Sequence, residues 1–181
     1  MKDGYFEPMM GVWDNLAMAQ VFIHIAKQGG APYIELRWLI NCAAGGLWAA
    51  VDIFNKKVAD GDERLGPSDS PTPWFEDSED LVNQLRHGQV HFKQEHGVGH
   101  ATEHQPGEEP KSFRFVWIGT DFDGDYDDII PIDEALSRID VVRVRIEEHV
   151  SALTGQGKFP VYLPEGRIVE ADKREVGEGD A

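Results

Sequence analysis

Cysteine is almost missing: Cys42 is the only one in 181 residues. A disulfide scaffold is therefore excluded. A lone thiol fits a reducing, cytoplasmic setting. Basic side chains are scarce, 17 Lys and Arg against 33 Asp and Glu, for a net charge of −16. That balance excludes a protein that coats nucleic acid non-specifically, because such binding comes from cations neutralising phosphates. It leaves open an enzyme that grips RNA in one local cleft. No long apolar run exists either. The most apolar stretch, Trp38 to Phe54, is interrupted by Asn41, Gly45, Gly46 and Asp52. A membrane span takes about 20 apolar residues, so this stretch reads as a buried helix, with no membrane partner. The first residues, Met1-Lys2-Asp3-Gly4-Tyr5, lack a basic stretch leading into an apolar run, and no export signal is expected from them. Glycine-rich phosphate loops, nucleophile elbows, dinucleotide fingerprints and HExxH are all missing.

What is present is enough apolar and aromatic side chain, 41% and 10%, to bury a core. The charge is uneven. Residues 1–60 hold six acids and five bases, so nearly all the acidic excess falls in residues 61–181. The early third reads as core-forming and much of the rest as a solvated layer.

Helical periodicity predicts a first helix from about Met10 to Gln28 on Val12, Leu16, Ala19, Val21, Phe22, Ile25 and Ala26. Gly29-Gly30 ends it, and Pro32 suits the first turn of the next helix. That second helix, about 32–59, is apolar on several sides, which predicts a central place in a bundle. Its Ala43-Ala44-Gly45-Gly46 patch lets another helix approach closely. Cys42 is expected in the core. Residues 60–75 read as a loop. A third helix is predicted from Asp77 or Ser78 through Leu81, Val82, Leu85 and Val90 to about His96, and Gly97-Val98-Gly99 opens a loop over 97–111. Ser112 to Gly119 alternates, with Phe113, Phe115 and Trp117 on one side and Arg114 and Val116 on the other, and reads as a strand. After an acidic turn at 121–128, a fourth helix is predicted from about Ile132 to Leu153. Val161–Leu163 and Arg167–Val169 suit a small hairpin, and a polar tail starts at Ala171. The expected product is a mainly α protein: the first two helices antiparallel, the third and fourth packed on them, and a small β insertion between the third and fourth. The helical domain is expected over 1–155 with its β insert at about 112–119, and 156–181 as a hairpin and acidic tail.

Three sets of residues could carry chemistry. Within Leu81-Val82-Asn83-Gln84-Leu85-Arg86-His87-Gly88-Gln89-Val90-His91-Phe92, an arginine and a polar residue precede a histidine five positions after the arginine. This resembles the Arg-x4-to-6-His motif of the HEPN superfamily, whose members are helical bundles with an early helix hairpin, a long apolar second helix and the motif on a later helix. The resemblance spans about residues 10–153 and implies a four-to-five-helix bundle of HEPN type. It implies metal-independent RNA cleavage without cofactors, in a homodimer, as in toxin–antitoxin and defence effectors. His91 would act as general acid and base near neutral pH, Arg86 would hold the phosphate, and His87 would assist. Positions 86 and 91 lie about 140° apart on an ideal helix, so the pair meets through the long arginine side chain or across a two-fold axis, as HEPN dimers imply. The chain departs from the pattern at Lys93, where some toxin members carry Tyr. Gly88 also loosens a helix by about 1 kcal/mol.

Two further readings use other residues. His87 and His91 share an i, i+4 face, a spacing for metal ligands, with His96, His100, His104, Glu95 and Glu103 nearby; a polar loop is the plainer account. Asp121, Asp123 and Asp125 match the first ligands of a calcium loop, but Tyr126 and Ile132 stand where Gly and Glu are needed. The turn better fits charge at a helix start. A functional rival to the ribonuclease is a non-catalytic acidic helical protein that engages a basic partner.

Overall fold

The computed structural model describes residues 6–58, 70–71, 81–85, 95–119, 129–154, 161–162 and 168–169. Helix α1 spans Phe6–Lys27 and α2 spans Tyr33–Ile53. The Gln28 amide bonds the carbonyls of His24 and Ile25, and Gly29 then takes a φ of 80°, a left-handed turn that glycine adopts without strain. Pro32 caps α2 and its carbonyl accepts the Leu36 amide at 2.9 Å.

The two helices run antiparallel. A Cβ at Gly11 would stand 3.4 Å from the Ile53 side chain, and one at Gly46 would stand 3.0 Å from the Asn15 carbonyl oxygen and 3.4 Å from the Ala19 Cβ. The small-residue patch is thus where α1 presses on α2. A π-helical turn, Phe54–Val58, extends α2, so the predicted single helix to about residue 59 changes its winding at Phe54.

Residues 81–85 are helical (α3), with Leu81, Val82 and Leu85 buried. Helix α4 runs Ile132–Thr154, close to its predicted span. One core joins α1 (Val12, Leu16, Ile23), α2 (Leu36, Ile40, Leu47), Phe54 of the π-helical turn, the three α3 residues and α4 (Leu136, Ile139, Ile146, Val150).

The β part is larger than the sequence suggested. Strands β1 (Glu95–Glu103), β2 (Lys111–Gly119) and β3 (Ile129–Pro131) form an antiparallel sheet in the order β1-β2-β3. The predicted helix to His96 and loop over 97–111 are both corrected: residues 95–103 are a strand, and only 104–110 connect it to β2. The two glycines read as helix breakers have another role. Gly97 pairs with Trp117, Gly99 with Phe115 and Ala101 with Phe113. A Cβ at Gly97 would lie 2.5 Å from the Trp117 ring, and one at Gly99 2.4 Å from the Phe115 ring. Glycine in a strand here marks close approach by a ring, not an end. The other face of β2 carries Val116 into the helical core, with Val98, Ile118 and Ile130 against it. Arg114 donates to the Ala31 carbonyl at 3.3 Å, which ties β2 to the α1–α2 turn. The predicted hairpin is present as β4 (Val161–Tyr162) paired with β5 (Ile168–Val169).

Mainly helical with a small antiparallel sheet is therefore the architecture. Among the described residues, no helix is long and apolar enough to cross a membrane.

Candidate functional site

The arginine–histidine motif begins at the residue after the described part of α3. Arg86, His87 and His91 lie outside the described residues, as do the aspartates 121, 123 and 125. The approach to the motif is described. Leu81, Val82 and Leu85 are at most 4% exposed, so the segment just before Arg86 is seated in the shared core. Asn83 and Gln84 are half-buried.

Beside that segment is an open groove of about 450 Å³ between α3 and α4. Leu81, Val82, Val141 and Val142 give it an apolar floor. Glu134, Ser137 and Arg138 give it a polar edge, where Arg138 and Glu134 form an ion pair one helical turn apart.

The histidine run is divided by the sheet. His100 and Glu103 lie on β1 three positions apart, so they stand on opposite faces, and both are exposed. His104 is exposed beyond the strand end. Among the described residues, no group of three His, Cys, Asp or Glu is placed to hold a metal ion.

Cys42 is exposed, which corrects its expected place in the core. At 3.6 residues per turn it sits about 200° round α2 from buried Ile40. The spacing that buries Leu36, Ile40, Ala43 and Leu47 turns Cys42 outward. The same face makes the N-terminal half of α2 one-sided rather than central, while Leu47, Trp48, Ala50 and Val51 are buried.

Sequence reasoning missed one charged cluster. On α4, buried Arg143 donates from Nε to the Asp140 carboxylate at 2.7 Å and from a terminal nitrogen to buried Glu147. Lys27 of α1 reaches Asp140 at 3.6 Å, which links the end of α1 to α4. Arg143 and Glu147 fall between Ile139, Ile146 and Val150 on the apolar stripe; two charges four residues apart inside such a stripe were the available signal. A guanidinium so buried needs its carboxylate partners to offset lost hydration.

Chemically, the described part supplies a rigid helical frame, a groove at the base of α3 and a buried ion pair on α4. No family model, curated protein or solved structure matches the chain.

Proposed function

We propose that the protein is a metal-independent endoribonuclease of HEPN type that works as a homodimer, in the setting of a toxin or defence effector. One observation carries the reading. The helix that leads into Arg86-x4-His91 is anchored by Leu81, Val82 and Leu85 in the same core as the α1–α2 hairpin and α4. Catalysis by positioning needs a fixed frame, and residues 81–85, immediately before the motif in sequence, are part of one.

His91 takes the proton from a ribose 2′-hydroxyl. The O2′–P bond forms, the P–O5′ bond breaks, and the departing 5′-oxygen receives a proton. Arg86 binds the phosphoryl oxygens while charge builds on them, and His87 assists by orienting the phosphate. No stretch of acid interrupts this segment: residues 81–94 contain none.

Cleavage of RNA by the wild type, by Arg86→Ala and by His91→Ala, each with EDTA, tests the proposal. Each substitution is expected to lower the rate by roughly 10²-fold or more, with EDTA leaving the wild type unchanged. Cleavage that survives both substitutions overturns it. An acidic binding protein is the second reading, favoured by a net charge of −16 that lies wholly outside the helix hairpin; capture of a basic protein without any RNA cleavage supports that reading instead.

A further inference from the structure

Along α2, Ile34, Trp38 and Cys42 follow one another at intervals of four and lie on one face. Ile34 is 61% exposed and Trp38 59%, and Cys42 is exposed as well. Gly45 and Ala49 continue the line half-buried. A tryptophan left mostly in water beside an isoleucine is unusual for a stable surface. It is the residue type most enriched at the energetic centres of protein interfaces.

The charge map selects what covers this face. Residues 6–58, the hairpin and its π-helical turn, contain four acids and four bases, a net charge of zero in a chain of −16. Between Trp38 and Val51 there is no charged residue at all. Two copies of so acidic a chain repel each other, and the hairpin, with no net charge, adds least to that repulsion. A basic partner is drawn instead to the acidic remainder, and a nucleic acid finds no surplus of cations on α2. Glu35 and Arg37 flank the stripe on opposite sides and cancel.

We infer that the Ile34–Trp38–Cys42 face of α2 is the surface on which a second copy of this chain docks, by an isologous two-fold contact with Trp38 at its centre. The inference stands on the α2 surface and the charge distribution and holds whether or not the protein cleaves RNA.

Sedimentation equilibrium of the full chain over a range of concentrations tests it, with Trp38→Glu and Trp38→Phe beside the wild type and circular dichroism as the folding control. The wild type is expected to dimerise. Trp38→Phe should keep the dimer. Trp38→Glu should weaken it by at least about thirtyfold, the loss of an interface centre worth about 2 kcal/mol. Cys42 supplies a second readout that needs no variant: its alkylation by a maleimide should slow as the dimer fills. A wild type that stays monomeric overturns the inference and leaves the face to a different partner. So does a dimer that Trp38→Glu leaves intact, or a Cys42 labelling rate that ignores protein concentration.

Discussion

Gly99 lies under the Phe115 ring, and a single added carbon there would stand 2.4 Å from it. Phe115 is itself only 4% exposed and stacks at a tilt beside Phe113, with ring centres 6.2 Å apart. The ring has little room to retreat, so Gly99→Val is expected to destabilise the fold by about 1–3 kcal/mol, the usual cost of overpacking. Urea unfolding measures it. Gly107 has a φ of 87° but open space around it, so glycine serves conformation there and clearance at Gly99. Gly99 was visible in the sequence as a break in a helical pattern. The pairing across 16 residues that turns Gly99 into a bed for Phe115 was not, because it depends on the register of two strands. Arg143 shows the same limit from the other side. Its spacing put it on the apolar stripe of α4 within one turn of Asp140 and Glu147, yet only the packed bundle buries it and brings Lys27 of α1 to Asp140.

At the scale of elements, helices were the most legible. The apolar stripe of α4 and the two-residue alternation of β2 are local periodicities, and both elements formed close to their predicted bounds. Strand β1 is the counterexample. Its sequence, Glu95 to Glu103, carries two glycines and two histidines and little strand propensity. It is extended because β2 pairs with it along nine residues and fills the space over its glycines with rings. The α1–α2 contact was foreseeable from the small residues on α2, and it makes a prediction at this level. Gly46→Val places side-chain carbons against the Asn15 carbonyl and Ala19, so the two helices must move apart. A loss of about 1–3 kcal/mol is expected, with a lower thermal midpoint. Gly30→Val, where nothing lies within 4 Å, is the paired control and should cost less.

For the molecule as a whole, charge is divided by architecture. The hairpin carries none in net, and the remaining chain carries all of the −16. Raising ionic strength from low to physiological should therefore tighten self-association severalfold, because the Debye length falls to about 8 Å and screens the acidic chains from each other. Weaker association at higher salt would mean that ion pairs between opposite charges hold the copies together. By itself the sequence determined helices α1, α2 and α4 and strand β2, the absence of disulfides, the concentration of acid outside the hairpin and the Arg86-x4-His91 spacing on which the ribonuclease proposal rests. These are properties of composition and of repeats a few residues long. Tertiary structure alone decided that residues 95–103 pair as a strand, that Cys42 and Trp38 face water, and that Arg143 and Glu147 share the interior of the bundle. Each of those depends on which distant segment lies alongside, and that is settled when apolar faces are buried together rather than along the chain.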